Sequence, residues 1–215
     1  SVAEVAATRP ETAVQTQSPA PVAPESLRAE SGAAPAGPRP ITAGDPLANG
    51  GRREIAFVDA ALANWQSLVA GIGPGIEVVL LDARQDGVRQ MAEYLAVRPA
   101  GEVDALHLLG HGESGSAVLG TARLSSASLP SYREALAVIG SRLTATGDFL
   151  LYGCDIAAGE NGVRLIGELA QLTAADVAAS TDATGAAANG GNWTLEARAG
   201  EVSAALDLAR GTYEG

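Results

Sequence analysis

From Glu54 onward, short runs of apolar residues alternate with longer stretches that have helical spacing. This alternation is typical of βαβ units, in which helices join parallel strands and pack on the sheet. The predicted strands are 54–59, 76–81, 105–109, 148–152, 176–180 and, near an edge, 193–197. The predicted helices are 64–70, 87–96, 129–143 and 162–172. The pattern predicts an α/β fold, a three-layer sandwich with helices on both faces of a mostly parallel sheet of about six strands.

The first 50 residues have a different composition from the rest of the chain. They contain 8 of the 11 prolines, and they have neither a helical nor a strand period. Such a composition is typical of an extended, weakly structured segment. We therefore predict a linker or pro-segment over 1–50 and one α/β domain over 51–215. If the segment is cleaved, Arg52 and Arg53 at the boundary are the obvious scissile site.

Charge and cysteine content exclude several classes of function. The formal net charge is −11, whereas nucleic-acid binding needs clustered basic residues, so we expect no nucleic-acid partner. We expect no membrane insertion, because the sequence has no stretch of 18 apolar residues. Cys154 is the only cysteine, which excludes an intramolecular disulfide and a multi-thiolate metal site. We predict neither a metal nor a cofactor.

A histidine and the single cysteine each follow a predicted strand and a glycine. His111 lies in the run LLGHGESG, and Cys154 lies in FLLYGCDIAAG. Neighbouring parallel strands lie about 4.8 Å apart, so if the two strands pair, both side chains emerge at the same edge of the sheet. A nearby imidazolium favours the reactive thiolate form of cysteine. The spacing therefore predicts a Cys/His dyad, although a buried inert thiol is the commoner state of a free cysteine.

Other patterns near the dyad have simpler explanations. His107 and His111 have the spacing of a helical zinc site, but they lie on a predicted strand and the glutamate of that motif is missing. The glycines of GHGESG suggest a dinucleotide loop, but the segment that follows reads as a loop or short hairpin instead of a helix. Neither pattern competes with the dyad.

The two motifs resemble those of the caspase, gingipain, clostripain and separase cysteine peptidases, which have a His-Gly after one strand and a cysteine after the next. His111-Gly112 matches the first motif and Tyr152-Gly153-Cys154 matches the second. The runs YGCDIAAG, AASTDATG and GGNWTLE are also similar to an uncharacterised domain near the amino termini of very large bacterial surface adhesins. The pentapeptide that surrounds the caspase nucleophile is absent, so aspartate specificity is not implied.

The resemblance implies a caspase-like sheet and a role for each matching residue. Cys154 would attack a peptide carbonyl, His111 would protonate the departing amine, and the backbone N–H groups of Gly112 and Cys154 would face the oxyanion. By position, the candidates for the pocket that binds the substrate residue before the scissile bond are Asp59 and Asp182, with Asp155 as a third. A carboxylate there would favour arginine.

The resemblance leads us to expect a secreted or cell-surface cysteine endopeptidase within a larger bacterial protein. Its partner would be a polypeptide substrate, with its own parent chain as one candidate. The alternative is a non-catalytic surface or interaction module, of the kind found in adhesins, that retains the peptidase fold. An amidase or transpeptidase with the same chemistry is a third interpretation.

Overall fold

A computed structural model of the chain describes residues 37–187 and 190–206. The first 36 residues of the predicted proline-rich segment lie outside the described residues. The strands of the described part are β1 (Arg39–Thr42), β2 (Glu54–Asp59), β3 (Glu77–Leu81), β4 (Val103–Leu109), β5 (His111–Glu113), β6 (Ser116–Leu119), β7 (Ala122–Ser125), β8 (Leu143–Tyr152), β9 (Asp176–Ala179) and β10 (Ala197–Ala199). The helices are α1 (Trp65–Gly71), α2 (Gly87–Ala96), α3 (Leu129–Arg142) and α4 (Gly159–Thr173). None of these helices is long and apolar enough to span a bilayer.

Seven of the strands form the main sheet, in the order β1-β3-β2-β4-β8-β9-β10. The five inner strands are parallel to one another, whereas the edge strands β1 and β10 pair antiparallel with their neighbours. The prediction of an α/β fold with a mostly parallel sheet is confirmed. From β2 the sheet extends to β3 on one side and to β4 on the other, so the strand order reverses beside β2. Ligands bind at such reversals, beyond the carboxyl ends of the strands.

The two edges of the sheet differ from the sequence-based expectation. β1 lies in the proline-rich segment, where the sequence has no strand period, and all four of its residues are exposed. β10 begins at Ala197, although the sequence predicts a strand over 193–197. The predicted start is displaced because Leu195 is buried against the sheet and the Glu196 carboxylate accepts the Thr181 N–H, at 2.8 Å.

Alternate residues of the inner strands pack into two separate apolar clusters. On β2, Ile55 and Phe57 belong to the cluster that also contains buried residues of α2, α3 and α4. Ala56 and Val58 belong to a second cluster with Leu68 of α1. Strands that are covered on both faces are apolar at almost every position, which explains the unbroken apolar runs in the sequence. Residues of α2, α3 and α4 thus pack on one face of the sheet, and Leu68 of α1 packs on the other.

An aspartate side chain caps the start of α2. Asp86 accepts a hydrogen bond from the Arg89 N–H at 3.0 Å, which satisfies one of the free donors at the start of the helix. Its other carboxylate oxygen accepts from the Tyr132 hydroxyl at 2.9 Å. Met91 and Leu95 are fully buried, as the helical period predicts. Asp86 therefore fixes the start of α2 against α3.

A smaller antiparallel sheet, β5-β6-β7, follows β4 directly. It corresponds to the segment that the sequence predicts as a loop or short hairpin. It is joined to the main sheet at the end of β2, because Asp59 accepts the Gly120 N–H at 2.7 Å. This small sheet begins at His111, so it determines where that histidine lies.

Candidate active site

The predicted pairing of the strands that precede His111 and Cys154 is confirmed. β4 and β8 are parallel neighbours, with Leu109 opposite Tyr152. The pairing continues one residue further, because the Gly110 N–H donates to the Tyr152 carbonyl at 3.1 Å. Each candidate residue follows two positions after the last paired residue of its strand. The segments that follow β4 and β8 therefore leave the sheet at the same edge and at the same level.

The two segments that follow the strands are in direct contact at Gly112. A Cβ atom at this position would lie 2.5 Å from the Cys154 carbonyl oxygen and 2.5 Å from the Ile156 side chain. Both distances are far below van der Waals contact, so only glycine fits. The same holds at Gly153, where a Cβ atom would lie 2.9 Å from the Gly110 carbonyl oxygen. These glycines allow the histidine and cysteine segments to approach closely.

Cys154 lies in a tight turn between β8 and α4. The next residue, Asp155, has a left-handed backbone with φ of 59°, which is uncommon for a residue with a side chain. The Asp155 N–H donates to the Asp182 carbonyl at 2.8 Å, and the Ala157 N–H donates to the Ser180 carbonyl at 2.8 Å. Bonds to the end of β9 thus fix the turn. A strained residue beside a candidate nucleophile is common at functional sites.

The segment that carries His111 is tied to the turn that carries Cys154. The Ser114 hydroxyl donates to the Ala158 carbonyl at 2.8 Å, and the Gly115 N–H donates to the Ile156 carbonyl at 3.1 Å. Ser114 therefore has a structural role. His111 itself is exposed at the beginning of β5.

His111 and Cys154 line the same cavity, which has a volume of about 460 Å³. The cavity opens at the carboxyl ends of β4 and β8, where the topology predicts a ligand site. Its remaining walls come from two segments: one after β2, which includes Leu62 and Leu68, and one after β9, which includes Thr184 and Trp193. Four strand ends of the main sheet therefore contribute to one site.

The thiol of Cys154 is half-buried and points toward the segment that follows β9. Its Sγ donates to the Thr184 carbonyl at 3.7 Å, a weak contact that a substrate could replace. Among the hydrogen bonds of residues 37–187 and 190–206, none uses the backbone N–H of Cys154. This N–H is therefore available to a hydrogen-bond acceptor that binds beside the sulfur.

None of the three aspartates predicted to bind substrate lines the cavity. Asp59 is fully buried, and its carboxylate accepts from the N–H groups of Ala61 and Gly120, at 2.9 and 2.7 Å. Asp182 is exposed, and both its carboxylate oxygens accept from the Asn192 side chain at 3.0 Å. Asp155 is exposed and directly follows Cys154. The carboxylates of Asp59 and Asp182 bind loop residues instead.

His107 belongs to a buried polar group at the other end of the strands. It is fully buried, and its Nε2 lies 2.8 Å from a carboxylate oxygen of Glu54. Burial alone would raise the pKa of Glu54, but hydrogen bonds from His107 and Arg52 lower it below its ordinary value. No group of three or more metal-ligating side chains occurs among the described residues.

Tyr152 supports the floor of the cavity from below. Burial raises the pKa of its hydroxyl to about 12, and the hydroxyl oxygen accepts the Leu206 N–H at 2.9 Å. Its ring stacks on His107, with the centroids 6.1 Å apart, and contacts Trp193 at 6.2 Å. Trp193 also lines the cavity. Its part in the cavity wall depends on a loop conformation that no local pattern reveals.

The chain was also compared with known proteins. No curated protein matches it. A family model, described as a domain of unknown function (DUF4347), matches residues 55–214, which include every strand end that lines the cavity. The chain therefore belongs to the DUF4347 family.

Proposed function

We propose that the chain is a cysteine endopeptidase in which Cys154 is the nucleophile and His111 is the general acid and base. One observation carries the proposal: the two residues follow neighbouring, paired strands and line one cavity. Nucleophilic catalysis by cysteine needs a thiol and an imidazole at one site that a substrate can enter. The exposed position of His111 leaves its ring accessible to a bound peptide.

The positions of the dyad also support a relationship with the caspase, gingipain and separase peptidases. In those enzymes, as proposed here, the His-Gly and the cysteine follow neighbouring strands of a parallel sheet. Helices on the two faces of the sheet are compatible with their three-layer αβα sandwich. We propose that this chain shares that architecture.

The chemistry proceeds in two steps. The Cys154 thiolate attacks the carbonyl carbon of the scissile bond, and the carbonyl π electrons move to the oxygen. The N–H of Cys154, together with that of Gly112, stabilises this oxyanion, and one such donor contributes about 3 kcal/mol in other hydrolases. The C–N bond then breaks as His111 gives its proton to the departing amine, which leaves a thioester on Cys154. In the second step, His111 takes a proton from water and the resulting hydroxide attacks the thioester. The C–S bond then breaks, which releases the carboxylic acid and restores the Cys154 thiolate and the protonated His111.

The geometry constrains where the enzyme could cut its own chain. The Arg52-Arg53 junction precedes β2 and thus lies at the amino ends of the strands, opposite the cavity. Six residues of β2 separate these ends, a distance of about 20 Å at 3.3 Å per residue. The Arg53 carbonyl also accepts the Asp104 N–H, and the Arg53 N–H donates to the Asp104 carboxylate, both at 2.8 Å. Processing at this junction would therefore occur between molecules and would require the junction to open first.

We further propose that the domain is part of a larger bacterial protein that is secreted or displayed at the cell surface. Support comes from the similarity of its sequence motifs to domains of large surface adhesins. The substrate would be a polypeptide, either the parent chain or a neighbouring protein.

The direct test is hydrolysis of a mixed peptide library, followed by mass spectrometry. We expect the wild-type protein to cleave a subset of peptides and Cys154→Ala to cleave none. Cleavage that persists in Cys154→Ala would assign the activity to another residue or to a contaminant. A folded wild-type protein that cleaves nothing would favour the alternative, a non-catalytic interaction module.

A further inference from the structure

The cavity that His111 and Cys154 line also has an apolar wall. Leu62 and Leu68 contribute one side of this wall, and Trp193 contributes another. Leu68 is buried in the second apolar cluster, and Leu62 and Trp193 pack against that cluster. The wall is therefore continuous with the protein core and fixed in position by it.

The segment after β9 adds small residues to the same cavity. Ala183, Gly185, Ala186 and Gly191 line it, and residues this small occupy little of its volume. Backbone bonds hold this segment as a narrow loop, with the Gly185 N–H donating to the Asn192 carbonyl at 3.0 Å. A substrate side chain that points away from the scissile bond thus has room beside the sulfur.

Among the residues that the structure describes, the lining contains no carboxylate and no arginine. The titratable groups of these lining residues are His111, Cys154 and Tyr152, and burial keeps Tyr152 neutral by raising its pKa to about 12. An arginine side chain placed here would lose water without gaining an anionic partner, which is strongly unfavourable. An apolar side chain would instead exchange water for contact with leucine and tryptophan, which is favourable.

We infer that this cavity is the subsite for the substrate residue before the scissile bond and that it selects large apolar side chains over arginine. The inference rests on the proposed peptidase function. It replaces the arginine preference predicted from Asp59, Asp155 and Asp182, because none of these carboxylates reaches the cavity.

The inference can be tested with two peptidyl acyloxymethyl ketones. The two probes differ only in the residue next to the reactive group, which is leucine in one and arginine in the other. Both alkylate an active-site thiol, and labelling of Cys154 is followed by intact mass. We expect the leucine probe to label the wild-type protein at least tenfold faster than the arginine probe. Equal rates, or faster labelling by the arginine probe, would overturn the inference and leave the peptidase proposal intact.

A substitution in the wall provides a second arm. Leu62→Asp introduces a carboxylate at a half-buried position of the cavity wall, so we expect the preference to move toward the arginine probe by at least tenfold. Leu47→Asp is the matched control, because Leu47 is 93% exposed and lies outside the cavity. A preference that is the same in both variants would contradict the assignment of this wall. If neither probe labels the wild-type protein faster than a free cysteine peptide, the peptidase proposal fails, and the inference fails with it.

Discussion

Replacing Gly112 with alanine tests the close contact between the segment that contains His111 and the segment that contains Cys154. The new Cβ atom would lie 2.5 Å from both the Cys154 carbonyl oxygen and the Ile156 side chain. Ordinary contact distances are about 3.5 Å or more, so the segments must separate by about 1 Å. Overpacking of this size costs about 1–3 kcal/mol of unfolding free energy, which a typical domain tolerates without unfolding. A displacement of 1 Å between catalytic groups can lower the rate by about 100-fold.

The assay combines peptide hydrolysis with urea unfolding. We expect Gly112→Ala to lose about 100-fold in kcat/KM while it remains folded. Gly167→Ala is the matched control, because Gly167 lies within α4 and a Cβ atom there would meet nothing within 4 Å. Alanine in a helix is more stable than glycine by about 0.5–1 kcal/mol, so this control should gain stability and keep its activity. Wild-type activity and stability in Gly112→Ala would refute the proposed contact.

Three further predictions concern residues around the site. Glu54→Gln should lower the unfolding free energy at pH 7 by about 2 kcal/mol, because His107 loses a charged partner. The pKa of Glu54 is lowered in the folded protein, so its contribution is present above the ordinary glutamate pKa and disappears as the pH falls through the lowered value. The unfolding free energy, measured by urea titration, should therefore fall less steeply between pH 7 and pH 3 in Glu54→Gln than in the wild type. The same pH dependence in both proteins would contradict the assignment. Tyr152→Phe removes the acceptor of the Leu206 N–H, so the unfolding free energy should fall by about 1 kcal/mol. Hydrogen exchange at the Leu206 amide should become faster, and an unchanged exchange rate would contradict this prediction. Asp155→Gly should retain stability because glycine adopts the left-handed backbone freely, whereas Asp155→Val should lose about 1–2 kcal/mol in thermal unfolding, and equal midpoints would count against strain there.

The inner part of the fold follows from local sequence patterns. The apolar runs of β2, β4 and β8 are continuous because both faces of these strands are covered, and the intervening helices have a clear period. β1 was not predicted, since an exposed edge strand needs no apolar pattern and forms through its pairing with β3. The sequence predicts the start of β10 too early, because apolar and polar residues alternate over 193–197. This alternation reflects packing of Leu195 onto the sheet and not strand pairing.

The neighbouring positions of His111 and Cys154 could be predicted because they depend on topology alone. His111 and Cys154 each follow a strand, and parallel neighbours place their carboxyl ends together. The walls of the cavity depend on loops whose course is set by tertiary contacts, so Leu62, Thr184 and Trp193 gave no local signal. The same reason explains why an aspartate such as Asp59, placed by analogy at a strand end, instead binds backbone N–H groups.

The central claim is that His111 and Cys154 work as one catalytic unit. Its most direct test is the rate of peptide hydrolysis in His111→Ala, in Cys154→Ala and in the double variant. Residues that act together are not additive, so each single variant should fall to the rate of the double variant. Because His111 is exposed, its replacement should leave the urea midpoint unchanged, which separates catalysis from folding. A His111→Ala protein that hydrolyses peptides at the wild-type rate would contradict the account.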